Sequence, residues 1–119
     1  MLPDMTISNK AVETFAKGVP WSKAIKKAAS TSKGQRIFPS QNTKNDQKWN
    51  FRLDKGSEVD GKQELILQAN KNAENKGVRD AAGKDSHAVL AKVLVDPVND
   101  KDGKTAIREL LSSFKDNKK

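Results

Sequence analysis

Cysteine is absent and histidine occurs once, at His87. The first absence excludes disulfides, thiolate metal sites and a cysteine nucleophile; the second excludes zinc centres built on several imidazoles. Aromatic residues number only six, four Phe and two Trp, so each must serve the core before it can serve anything else. No apolar run approaches the ~18 residues that span a bilayer, and the opening "MLPDMTISNK" lacks the basic-then-apolar layout of a signal peptide. Apolar residues make up 34% of the 119, against 32% charged, and the mean hydropathy is −0.80. A chain this lean can build one modest core, so a single soluble domain over residues 1–119 is expected, working in a cytoplasm or delivered to one.

Charge is plentiful, with a net +8. Its placement says more than its size. From Lys17 to Lys55 stand ten basic residues against two acids, Asp46 and Asp54, while the remainder balances at thirteen against thirteen. A surplus confined to one segment implies a basic face and a polyanionic partner. Phosphate contact needs several cations within reach of one backbone, each releasing counterions. Lys23, Lys26, Lys27, Lys33, Lys44 and Lys55 are the expected phosphate contacts on a nucleic acid.

The elements follow from periodicity and punctuation. Ser8 can cap a first helix, Ile7 and Val12 can staple across the cap, and Gly18 can end it at the C′ position. Pro20 opens a second helix running to about Ser30, with Trp21, Ala24, Ile25, Ala28 and Ala29 on one side and the three lysines on the other. The short connection suggests a helical hairpin or a steep crossing. "QRIFPS" reads as a short strand whose Pro39 suggests an edge or an end. "KWNFRLD" alternates, with Trp49, Phe51 and Leu53 on one face and Lys48, Asn50 and Arg52 on the other. "KGSEVDG" reads as a turn-rich connector to the strand "QELILQAN". Residues 70–86 hold almost nothing apolar and read as a loop or a weak helix. "HAVLAKVLVDP" fits either strand or helix, and "TAIRELLSSFK" is a closing helix with Ile107, Leu110, Leu111 and Phe114 on one face. The fold class is therefore α+β: an N-terminal helical pair, a three- to four-stranded antiparallel sheet and a C-terminal helix.

Three groups of residues bear on chemistry. His87, with an ordinary pKa of about 6.5, could act as general acid or base on a ribose 2′-hydroxyl or a leaving oxygen; a surface or packing role is the alternative. Trp21 and Trp49 could stack bases, but six aromatics leave the core short without them. "VNDKDGKTAIRE" places Asp100, Asp102, Gly103 and Glu109 at EF-hand spacing, yet Val98 occupies the obligatory first carboxylate position, so "DKDG" reads as a tight turn and not a calcium loop. No metal or cofactor is expected.

The stretch "TISNKAVETFAKGVPWSKAIKKAAS" resembles the start of bacterial ribonuclease toxin domains of the barnase, EndoU, colicin and RelE group, which includes the C-terminal toxins of contact-dependent growth inhibition systems. Ile7, Gly18, Val19, Ala24 and Ile25 fit the outline, over about a quarter of the chain. Asn9 stands where that pattern often has histidine and Lys17 where it has arginine, so catalysis would fall to another set: His87 with Arg36, Lys48 and Arg52. The resemblance implies a metal-independent ribonuclease, hence RNA over DNA, with transfer RNA as one candidate substrate and an acidic immunity protein that holds it inactive. A non-catalytic nucleic acid-binding regulator, or a basic interaction domain for an acidic protein, stand beside it as alternatives.

Overall fold

The first helix forms where its donors find partners. In the computed structural model, which describes residues 7–42, 49–71 and 87–117, the Ser8 hydroxyl accepts the Ala11 N–H at 3.0 Å. That hydrogen bond satisfies one of the amide groups that open α1 (Asn9–Gly18). Ile7 and Val12 are both fully buried, as a staple across the cap requires. Helix α2 (Trp21–Ala29) follows after Val19 and Pro20. The chain then enters β1 (Arg36–Asn42), β2 (Trp49–Val59), β3 (Lys62–Lys71), β4 (His87–Val95) and α3 (Lys104–Asn117). The ambiguous "HAVLAKVLV" is a strand.

The four strands form an antiparallel sheet in the order β1-β2-β3-β4. The connector expected between β2 and β3 is mostly strand. β2 runs on to Val59, paired with Lys62, and the turn itself is two residues long. Asp60 and Gly61 both have positive φ, 51° and 79°, as the tight hairpin turn favoured by Asp-Gly demands. The Asp-Gly pair thus outweighs the turn-rich composition around it.

All helices described lie on one side of the sheet. Phe51 and Leu53 of β2, Leu65, Leu67 and Ala69 of β3, and Ala91, Val93 and Val95 of β4 point into a core completed by Val12, Phe15, Trp21, Ile25, Leu110 and Phe114. The Phe15 ring sits 5.4 Å from that of Phe51 and 5.8 Å from that of Phe38, which anchors α1 over β1 and β2. Helices α1 and α2 do not form a hairpin: α1 packs chiefly on α3, and α2 on β1. The fold is α+β, with two N-terminal helices, a four-stranded antiparallel sheet and a C-terminal helix among the described residues.

Trp21 is a core residue, 4% exposed. Its indole N–H donates to the Ala16 carbonyl at 2.7 Å, an acceptor at the end of α1 that also takes the Val19 N–H at 3.4 Å. Its ring packs against Gly103, in the connection from β4 to α3. That connection is held by its own carboxylates. Asp96 accepts from the Val98 and Asn99 backbone N–H groups and from the Asn99 side chain. Asp100, almost fully buried, accepts from Thr105 and Ala106 N–H at 3.2 and 2.9 Å. Asp100 therefore does the capping that Gly103, lacking a side chain, cannot. "DKDG" is a tight turn closed by the Gly103 N–H on the Asp100 carbonyl.

Two outcomes follow. Gly103 has φ 74°, and a Cβ there would lie 2.4 Å from that of Trp21, so Gly103→Ala is expected to cost about 2–4 kcal/mol, read as a lower urea midpoint at unchanged slope. Hydrogen bonds from Asn99 backbone, Asn99 side chain and Val98 hold the Asp96 carboxyl below its ordinary 3.8. A depressed folded-state pKa means that this contribution is complete above pH 3.8 and disappears as pH falls through the folded value. The stability gap between wild type and Asp96→Ala, measured by urea titration, is expected to narrow in that acid window.

Candidate functional site

Strand alternation decides which side chains are available. With Phe51 and Leu53 turned toward the helices, Asn50, Arg52 and Asp54 belong to the opposite face, which no described helix covers. Register then brings neighbours beside them: Gln68 of β3 stands opposite Arg52, and Arg36 of β1 stands opposite Asp54. Three consecutive strands therefore contribute to one cluster.

Its centre is a closed ring of contacts. Arg52 Nη2 lies 3.1 Å from Asp54 Oδ2 and donates to Gln68 Oε1 at 3.3 Å, while Gln68 Nε2 donates to the same Asp54 oxygen at 3.2 Å. Asp54 is only 3% exposed. Two buried polar atoms are left over: Asp54 Oδ1 and Arg52 Nε have no hydrogen-bond partner among the described residues. Leaving a buried acceptor or donor unmet costs roughly 1–3 kcal/mol each, an expense that packing alone gives no reason to keep. Beside this ring, Gly34, Gln35 and the exposed Arg36 complete a pocket of about 290 Å³ that Arg52 and Asp54 also line. The pocket joins two arginines and a carboxylate, a set of side chains that can bind an anion and take up a proton.

The residues expected from sequence distribute unevenly around this pocket. Arg36 and Arg52 converge on it. Lys33 is exposed in the turn that leads to β1. Lys23, Lys26 and Lys27 are exposed on α2, whose other side, Trp21, Ala24, Ile25 and Ala28, is buried in the core. They therefore sit on the helical side of the sheet, across it from Arg52. Lys55 is placed differently from the other expected phosphate contacts. It pairs in register with Leu65 on the covered face, is 8% exposed, and its ammonium group lies 3.5 Å from Glu58. Lys44 and Lys48 lie outside the described residues. The backbone of His87 opens β4 opposite Asn70; its side chain, like that of Trp49, lies outside what is described.

Asp54 and Gln68 went unnoticed in the sequence. Asp54 figured there only as one of two acids in a basic segment. The available signal was "RLD": in a strand, residues two apart share a face, so an Arg and an Asp at that spacing make an ion pair on the polar side. Gln68 is set by β2–β3 register and had no local signal. Among the described residues no His, Asp and Glu side chains gather as a metal-binding group, and no helix is long and apolar enough to cross a membrane.

The family model described as Subtelomeric hrmA-associated cluster protein (HrmA) matches residues 6–113, and the chain belongs to that family. No curated protein matches the chain, and no solved structure does.

Because Arg52 is held mainly by Asp54, Asp54→Ala leaves a largely buried cation without its carboxylate. A loss of about 2–4 kcal/mol is expected, below the full range for buried pairs because a fifth of the Arg52 side chain meets solvent. The double variant Arg52→Met/Asp54→Leu is expected to lose less than Asp54→Ala alone, as urea denaturation of the two would show.

Proposed function

We propose that this member of the hrmA-associated cluster family binds RNA across the uncovered face of its sheet and cleaves it without a metal ion. The observation that carries this proposal is the pocket on that face, which Arg36, Arg52 and Asp54 line together. RNA is the substrate class for a chemical reason. Its 2′-hydroxyl can attack the adjacent phosphorus, so the protein has to supply only a proton acceptor, a proton donor and cations. Asp54 takes the proton from the 2′-hydroxyl as the 2′-oxygen–phosphorus bond forms. Arg36 and Arg52 face the charge that gathers on the phosphoryl oxygens. The phosphorus–5′-oxygen bond breaks, and the leaving oxygen takes a proton, for which His87 is the candidate donor. The products are a 2′,3′-cyclic phosphate and a 5′-hydroxyl. Such chemistry is that of the ribonuclease toxin domains which the first quarter of the chain resembles. An acidic inhibitor protein covering the same face in the cytoplasm is the partner it implies.

The test is an end-labelled transfer RNA pool incubated with purified protein in EDTA, beside anisotropy measurements of binding. Wild type is expected to yield discrete fragments ending in cyclic phosphate. Asp54→Asn is expected to slow cleavage by about 10²–10⁴ while binding changes by only a few-fold, and Arg36→Ala to weaken binding itself. RNA that is bound but intact in every sample would replace the nuclease with a non-catalytic binder. Failure to bind at 0.15 M salt would remove both.

A further inference from the structure

A second surface lies on the other side of the molecule, between α1 and α3. Helix α3 buries Ala106, Leu110 and Phe114 against the sheet and α1. On its flank, Ile107 and Leu111, one turn apart, are only half-buried although they pack on the core. They floor a groove of about 550 Å³ whose rim carries Lys17 of α1 and Lys104, Arg108 and Lys115 of α3. Two large aliphatic side chains left at a surface in a chain with so few apolar residues call for an occupant.

The charges around this floor are sorted. At about 100° per residue, Lys104, Arg108 and Lys115 fall within ~40° of one another on α3, whereas Glu109 and Asp116 lie on the order of 100° further round. Among the described residues Arg108 and Lys115 have no carboxylate within ion-pair distance, and Lys104 reaches Asp102 only at 3.9 Å, with both groups exposed. On the facing helix, Glu13 is taken by Lys17 at 3.0 Å. Its carboxyl is held below the usual range first by that hydrogen bond and Lys17's charge, and also by the charges of Lys115 and Lys10. Lys115 thus projects its field across the groove toward α1. The rim is cationic beyond what its own acids balance.

We propose that this groove docks an acidic amphipathic helix of a partner protein, with apolar side chains seated on Ile107 and Leu111 and carboxylates meeting Lys104, Arg108 and Lys115. The rim cations extend from Lys104 to Lys115 of α3, eleven helical rises or about 16 Å, so three turns of a partner helix match the site. A concave apolar floor suits a helix better than a flat bilayer surface, and nucleic acid offers it nothing to bury. The surface is separate from the uncovered sheet face, so both can be occupied together.

The experiment uses the full chain and two fluorescein-labelled 18-residue helical peptides of identical leucine stripe, one flanked by Glu and one by Lys, in 0.15 M salt. The Glu peptide is expected to raise anisotropy on titration and the Lys peptide to leave it flat. Arg108→Glu/Lys115→Glu, a pair of exposed positions, is expected to weaken the Glu peptide at least tenfold. Arg36→Ala, an exposed position at the sheet-face pocket, is expected to leave it unchanged, which separates this groove from the RNA-binding proposal. Equal binding of both peptides, binding of neither, or indifference to the double charge reversal overturns the proposal. So does a double variant that loses only its attachment to phosphatidylserine-containing vesicles, which would assign the groove to a membrane surface.

Discussion

The molecule is governed by a sheet that is covered on one side only. Each strand must send alternate residues to opposite fates, one set into the helices and one set outward. Phe51, Leu53, Leu65, Leu67 and Ala69 take the first, fully buried. Asn50, Arg52, Glu64, Ile66 and Gln68 take the second, on strands that lie side by side. A one-residue slip of β2 against β3 would exchange the sets and bury Arg52 among leucines, so burial pins register. That same constraint creates the candidate site, because a face with no helix over it is where a polar cluster can meet a ligand. Asp54 is buried there by its neighbours Arg52 and Gln68, not by a second layer of structure.

The helical layer is positioned by few contacts, and Trp21 carries several. Its indole N–H closes the end of α1, and its ring lies on Gly103 at the entry to α3. One side chain thereby couples the first helix, the second and the last. Asp100 fixes the start of α3 from the other direction, and the Asn117 side chain ties its end to the Leu90 carbonyl of β4 at 2.8 Å. With α3 held at both ends, its flank beside α1 is a defined groove whose floor and rim are set by helical spacing. The two surfaces of interest, sheet face and helix groove, are therefore products of the same layering.

A surplus of charge in sequence is not a surplus of charge on one face. Ten cations between Lys17 and Lys55 read as one basic surface when laid along the chain. Folding sends Lys23, Lys26 and Lys27 to the helical side, Arg36 and Arg52 to the sheet side, and Lys55 inward to Glu58. Only the edge at β1, with Lys33 and Arg36, borders both. Conversely, the cations beside Ile107 and Leu111 lie mostly in the balanced remainder of the sequence, where no compositional excess marks them.

Local rules carried most of the fold. Ser8 as a cap, Pro20 as punctuation, the alternation of "KWNFRLD" and the 3.6-residue period of the last helix each act within a few residues, so sequence alone specifies them. Gly18, expected just past the end of α1, is instead its last helical residue, and Val19 caps the helix. The Asp60–Gly61 turn belongs here too: its dipeptide carried more weight than the loop-like composition around it. Arg36 and Arg52 were legible as cations beside a strand. Their meeting with Asp54 and Gln68 was not, because it depends on which residue of β1 faces which of β2, and of β2 which of β3. Register is a property of paired strands; no single strand contains it. Sequence determined the elements, their order and the α+β class. Tertiary structure alone decided which side of the sheet stays open, which cations share a face, and that one oxygen of Asp54 is left without a partner.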